Sequence, residues 1–269
     1  MYRIGWFSSG RGAGSRALLT TAMDNILSGN IKAKIGFVFC NREPGQADET
    51  DKFHRLVKSY GIPLIYCSSK QFEPKLRKAD INQWRAAYDK EVIRALDGYE
   101  ADLCVLAGYM LVTGPEMCSK YNLLNLHPAV PGGPKGTWKE VIWQLIDEGA
   151  SETGIMMHQA TPELDEGPPV TCCQFSIRGP LFDGYWEQIR GKSISEIQAG
   201  IGEENSLFEA IRKYGLMREY PLIVSTIKAF CEGRVRIEND SVVDSNGKTI
   251  QAYDLSKEID DGLKMQGLI

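Results

Sequence analysis

Apolar runs that alternate with helical stretches fill the first half of this chain and leave few folds open to it. Arg3–Ser8, Ala33–Cys40, Leu64–Cys67, Asp102–Leu106 and Leu123–Leu126 read as buried strands. Between them, Ser15–Leu27, Asp48–Tyr60 and Ile81–Leu96 carry helical spacing, with Leu18, Leu19, Met23 and Ile26 on one side of the first. A strand that is apolar throughout, rather than every second residue, is covered on both faces. The pattern therefore predicts an α/β fold, a Rossmann-like and mostly parallel sheet with helices on both faces.

The second half is less regular. After the turn Pro131–Gly136, a helix is expected over Trp138–Glu148 and strands over Gly154–Thr161 and Val170–Ile177. Residues 178–205 read as an insertion with short helices. Ser206–Phe230 is helical in pattern, with Pro221 expected to kink or divide it. The tail, 234–269, is expected to hold a hairpin of Arg234–Val243 and a partner near Ile250 around Ser245-Asn246-Gly247. No repeat or composition break appears, so residues 1–269 read as one domain with embellishments.

Composition narrows the function. With 43% hydrophobic and 25% charged residues, a net charge of −4 and no basic run, the chain lacks the footprint of a protein that coats nucleic acid. No apolar stretch approaches the ~20 residues of a membrane span. Met1–Phe7 enters a strand at once and lacks signal-peptide architecture. Seven cysteines, an odd number without a C-x-x-C, fit free thiols in a reducing cytoplasm. Three histidines at unrelated positions, His54, His127 and His158, predict no metal site.

The chemistry is carried by Asn125-Leu126-His127-Pro128. Side chains two apart on a strand share a face, so an amide and an imidazole project together where Pro128 stops the strand. The carboxyl ends of strands are where such sheets bind ligands. With a carboxylate from Leu164-Asp165-Glu166-Gly167-Pro168, these groups can stabilise an oxyanion and move a proton. On the residues alone, a structural histidine and a plain turn aspartate remain equally open readings.

The loop Ser8-Ser9-Gly10-Arg11-Gly12-Ala13-Gly14-Ser15 opens the first helix and suits a phosphate. It departs from the dinucleotide fingerprint: Ser15 replaces the third glycine, and the second strand ends in Cys40-Asn41-Arg42 without an acid. An enzyme using Arg42 for the extra phosphate of NADP, and a bare turn with Ser15 as helix N-cap, stay open beside the phosphate site. His54, among Asp51, Lys52 and Arg55, reads as a solvated helix residue. Trp84, Trp138 and Trp143 read as core more readily than as ligand surface.

At these motifs the chain resembles the 10-formyltetrahydrofolate-dependent formyltransferase family. The resemblance runs through Ala86–Glu91 and Val105–Met110, Leu123–Pro128, Glu152–Gly154 and Leu164–Pro168, then Tyr220–Ser225 with Gly233–Val235. It implies a formyltransferase fold and 10-formyltetrahydrofolate as co-substrate, without a metal. The branch it matches best formylates glycinamide ribonucleotide in purine biosynthesis. It also implies a small phosphorylated amine as partner, with no nucleic acid or membrane. It gives no grounds for an oligomeric state.

By that resemblance the catalytic residues are Asn125, His127 and Asp165, with Asp165 stabilising the charged form of His127. Folate contacts fall on Arg85, Met110, Leu111, Val112, Thr113, Asn125, Thr161, Pro162, Glu163 and Leu164. Substrate phosphate falls on Gly12, Gly14, Ser15 and Arg16. His158 is expected to pack or to support the site.

Departures from the family pattern concern the acceptor. The first loop carries about two extra residues and has Arg16 for an asparagine. The stretch after His127 is one residue shorter. Leu216 stands where a ribose-binding glutamate belongs, with Glu219 or the insertion as possible substitutes. The alternatives left open are a formyltransferase of sugar-nucleotide amines, a formyltetrahydrofolate hydrolase, a methionyl-tRNA formyltransferase and a silent folate or nucleotide binder.

Overall fold

The computed structural model describes residues 1–163, 165–238 and 241–269. Strands β1 (Tyr2–Ser8), β2 (Ala33–Cys40), β3 (Leu64–Tyr66), β4 (Leu103–Leu106) and β5 (Leu123–His127) are parallel. β6 (Glu152–Gln159) runs against β5 and against β7 (Pro169–Ser176). β8 (Val235–Glu238) and β9 (Ser241–Asp244) form a separate antiparallel pair, and β10 (Tyr253–Asp254) joins β7 in parallel. The main sheet has eight strands in the order β10-β7-β6-β5-β4-β1-β2-β3.

Helices α1 (Ala13–Leu27), α2 (Asp48–Ser59), α3 (Pro74–Ala79), α4 (Ile81–Ala95), α5 (Pro115–Lys120) and α6 (Trp138–Asp147) accompany the first half. Within 178–205 lie α7 (Asp183–Gln188), α8 (Ile194–Gly200) and a 3-10 turn, followed by α9 (Ser206–Cys231) and α10 (Ser256–Met265).

Strand periodicity explains why both faces are covered. Ile4 and Trp6 of β1, Val38 and Cys40 of β2, and Leu103 and Val105 of β4 bury against α1, α2, α9 and α10. Their neighbours in sequence, Phe7, Phe37, Phe39, Cys104 and Leu106, bury on the other face with Trp84, Tyr88 and Val92 of α4. Trp84 is thus a core residue, its Nε1 donating to the Phe72 carbonyl at 2.8 Å. A third cluster joins α6, α7, α8 and the start of α9, and Trp143 packs there on Phe208 at 4.7 Å between rings.

Several sequence expectations need correction. Pro221 does not divide the last long helix: α9 is continuous for 26 residues. Pro221 has no N–H for the Met217 carbonyl, but Ile211 and Arg218 before it and Leu222 and Ile223 after it are all buried, so packing carries the helix through the proline. Its first turn is capped by Asn205, whose side chain accepts from Leu207 and Phe208 N–H.

Arg234–Val243 is two strands rather than one, with residues 239–240 outside the described chain. The Asn246-Gly247 turn is present, and Val243 bridges Thr249 across it. His54 is buried, not solvated: it is 3% exposed, stacks on Tyr66, and neither ring nitrogen has a hydrogen-bond partner among the described residues.

Candidate active site

Register delivers the first parts of the site. Asn125 on β5 lies opposite His158 on β6, and His127 lies opposite Met156. Asn125 Nδ2 is 3.3 Å from His158 Nε2, while His158 Nδ1 is 3.0 Å from the Gln159 carbonyl. A carbonyl only accepts, so Nδ1 carries the proton and Nε2 accepts from the Asn125 amide. One amide hydrogen of Asn125 is thereby held, and the second is left for a ligand.

Asp165 adds the carboxylate. Its Oδ1 is 3.5 Å from His158 Nε2 and its Oδ2 is 3.6 Å from His127 Nδ1, so it sits between the two imidazoles at ion-pair distance. The backbone there is left-handed, with φ of 56°, a conformation aspartate tolerates better than most residues. The loop before it doubles back tightly. Gln159 N–H donates to the Pro168 carbonyl at 3.0 Å. A Cβ on Gly167 would come within 1.7 Å of the Gln159 oxygen.

Both histidines are buried, His127 at 3% and His158 at 2% exposure. Burial lowers the pKa of His158, with the Gln159 carbonyl and Asp165 opposing it. His127 Nε2 faces the Pro134 carbonyl at 2.9 Å, so the turn after β5 folds back over the ring. Lys135, next in that turn, reaches Glu166 at 2.9 Å, which ties the turn to the Asp165 loop. With partners on both ring nitrogens, His127 in this state does not point a free N–H into open space.

The first loop meets the segment after β4. Ser9 N–H donates to the Gly108 carbonyl at 3.0 Å, and Met110 N–H donates to Ser9 Oγ at 2.9 Å. This clasp lies between β1 and β4, where the connections of the sheet change direction and ligand crevices form. α1 begins at Ala13 with Gly12 as N-cap and no side-chain cap, so Ser15 is a first-turn residue and not the N-cap. The amides there have no intrahelical acceptor. A Cβ on Gly12 would meet nothing within 4 Å, and one on Gly14 only the Tyr220 hydroxyl at 3.9 Å. Arg16 is already paired with Glu49, which limits its freedom to hold a phosphate.

Of the described residues assigned to folate, Met110–Thr113 form a strip after β4, and Thr161–Glu163 follow β6. Arg85 is half-buried on α4, where it hydrogen-bonds Asn82 at 3.4 Å. Met110 is exposed, Leu111 and Val112 half-buried, and Thr113 buried. Asp89, buried on α4, fixes this strip by accepting from Gly114 N–H, and burial raises its pKa to about 6. Leu111 packs against the core cluster that also holds Ala160, the residue before the loop that carries Thr161, Pro162 and Glu163. Thr161 Oγ1 donates to the Glu163 carbonyl at 2.9 Å. Leu164 lies outside the described residues.

Sequence reasoning gave His158 a background role, and the Pro134 carbonyl and Tyr220 hydroxyl none. The strand pairing of Asn125 with His158 was the one signal available. Leu216 is exposed on α9, beside Trp138 in an open groove. Glu219 is ion-paired with Arg212 at 2.8 Å and so is not free to replace the missing glutamate.

The profile of the Formyl transferase family matches residues 3–178, and the chain belongs to that family. It is 27% identical over 248 residues to phosphoribosylglycinamide formyltransferase of Escherichia coli (strain K12), covering 91% of this chain and 95% of that protein. It is 29% identical over 147 residues to formyltetrahydrofolate deformylase of Bacillus subtilis (strain 168), covering 52% of this chain and 41% of that protein. The fold matches the structure of phosphoribosylglycinamide formyltransferase from Coxiella burnetii with a TM-score of 0.65 at 19% identity, over 94% and 98% of the two chains.

Proposed function

We propose that the protein transfers the formyl group of 10-formyltetrahydrofolate to the amine of glycinamide ribonucleotide. The convergence of Asn125, His127 and Asp165 carries the chemistry. The similarity across nearly the whole length of the Escherichia coli phosphoribosylglycinamide formyltransferase supports the acceptor.

The amine lone pair attacks the formyl carbon, and the carbonyl oxygen becomes an oxyanion. The free amide hydrogen of Asn125 and an N–H of His127 stabilise that oxygen. Donation by His127 Nε2 requires the Pro134 turn to release it. Asp165 takes the proton of the attacking amine, directly or through a water, and returns it to the departing folate nitrogen as the tetrahedral centre collapses. The first-turn amides at Gly14, Ser15 and Arg16 hold the substrate phosphate, with Gly12 leaving room for it. Arg85, Met110–Thr113 and Thr161–Leu164 hold the folate. The seven free thiols fit a cytoplasmic enzyme.

The test is a transfer assay with a 10-formyl folate against glycinamide ribonucleotide, an amino sugar-nucleotide and water. Transfer to glycinamide ribonucleotide is expected. His127→Ala should lower kcat by ~10²–10³-fold. Near-normal turnover of that variant would sink the mechanism. Turnover only on the amino sugar, or only on water, would overturn the acceptor.

A further inference from the structure

Beyond the first-loop amides, a second pocket opens at the carboxyl ends of β1, β2 and β3. It has a volume of about 420 Å³ and is lined by Arg11, Arg42, Lys70 and Arg77, with Asn41 and Ser69 at its base. Met110 and Leu111 form one wall, so it adjoins the strip assigned to folate. Among the described residues, no acidic side chain lines it. Among the described residues, none of the four cations is in an ion pair.

Eight other arginines, Arg3, Arg16, Arg94, Arg190, Arg212, Arg218, Arg234 and Arg236, pair with carboxylates. Arg55, Arg85 and Arg178 do not among the described residues, but they stand apart, whereas the pocket gathers four unpaired cations on one cavity. Arg11 is the residue most affected: burial, then the charges of Arg42 and Arg77, push its pKa down. Like charges gathered without counter-ions raise the energy of the empty site, and an anion would relieve it.

The geometry is built rather than accidental. Arg77 is held by a hydrogen bond to the Ser69 carbonyl at 3.1 Å and by stacking of its guanidinium 4.6 Å from the Trp84 ring centroid. The nearest acid in sequence, Glu43, is turned away to accept from Ser68 N–H at 3.1 Å. Asn41 is 2% exposed; its Nδ2 donates to Ser69 Oγ at 3.1 Å, while its buried Oδ1 has no partner. The bound group must therefore bring negative charge for the guanidinium groups.

We infer that this pocket is a second anion site, distinct from the amides of α1, for a phosphate or carboxylate group with at least two negative charges. Two sources share that chemistry: a carboxylate tail with amide N–H groups on the folate, or a phosphorylated small molecule. The site itself does not depend on the formyl-transfer reading, and only the assignment of its source rests on it.

The experiment titrates inorganic pyrophosphate into the full-length protein by calorimetry at low salt. Two binding events are expected, one at the α1 amides and one at the pocket. Arg42→Gln with Lys70→Gln should abolish the second or weaken it by about tenfold per lost cation, and it should weaken with salt in the wild type. Neither side chain has an ion-pair partner among the described residues, and an unchanged Tm will verify folding. An isotherm that is identical in the wild type and the double variant would overturn the site; a single wild-type event that the double variant loses would uphold it and count against the α1 amides instead.

Steady-state KM values then assign the source. A rise for an oligo-γ-glutamyl 10-formyl folate, larger than for the monoglutamyl form, points to the folate tail. A rise for the amine points to the acceptor. Loss of pyrophosphate binding with both KM values unchanged points to a free phosphorylated metabolite.

Discussion

Two ends of the same crevice are built on opposite terms. Around Asn125, His127, His158 and Asp165, the polar groups already face one another: amide to imidazole, imidazole to carbonyl, carboxylate between two rings. At the first loop and the neighbouring basic pocket, among the described residues, α1 has no side-chain cap and the guanidinium groups have no counter-charges. The first end is preorganised for chemistry and costs little to hold empty. The second is completed only by what binds to it. A catalytic centre gains from fixed dipoles, whereas a binding subsite gains from uncommitted ones.

Glycine substitutions should break this contrast most clearly. Gly167→Ala sets a methyl against a backbone oxygen that cannot move without opening the Asp165 loop. It should cost at least ~3 kcal/mol of stability, within the range of severe core disruptions, and abolish turnover. A denaturant melt and the transfer assay will show whether it does. A melt like wild type would mean the loop is not as tight as described.

Two buried histidines sharpen the contrast further. His158 is bonded on both sides, while His54 has no hydrogen-bond partner on either nitrogen among the described residues. Burial lowers the pKa of both. The unfolded chain, with pKa near ~6.5, then binds protons that the folded chain resists. Stability should be fully present above that pH and decline as pH falls through it toward the lowered folded values. Asp89, raised to about 6, acts in the opposite sense between its unfolded value and that pH.

His54→Phe should flatten the acid decline and stabilise the protein by ~1 kcal/mol, because unpaired buried nitrogens are removed from a ring-shaped space. His158→Phe should destabilise it and lower activity. Equal effects from the two substitutions, read as Tm against pH, would erase the distinction.

The smallest effect belongs to Gly14→Ala. No backbone stands in the way of its methyl, and a helical alanine is favoured over glycine by ~1 kcal/mol. Tm should rise slightly while KM for the phosphorylated amine increases, since the methyl intrudes where a phosphate would approach. An unchanged KM would remove Gly14 from the substrate site.

Much of this architecture was legible because of unbroken apolar runs. β2 begins and ends where Ala33–Cys40 predicts, since a strand buried on both faces leaves no ambiguity of pattern. Short elements escaped. α3 and α5 are six residues each, too short for periodicity, though Pro74 and Pro115 mark their starts. β10 pairs through two residues and could be found only from its partner. His54 was misread because Asp51, Lys52 and Arg55 take the outward positions of α2 while His54 turns in beside Phe53 and Val57. In the site, family motifs pointed to Asn125, His127 and Asp165. Which nitrogen faces which acceptor depends on the register of β5 with β6 and on the Pro134 turn, and no local pattern encodes either.

The order of the sheet carries a consequence for the protein in solution. Its outer strands, β3 with three residues and β10 with two, are the shortest of the eight. An open sheet edge offers a row of unpaired amides and carbonyls on which another chain can template. Here the row is cut to a few groups on either side, and α10, following β10 directly, packs Ile259 and Leu263 into the core beside it. The small tail element is thus a safeguard against self-association: it covers part of β7, an eight-residue strand that would otherwise be the rim.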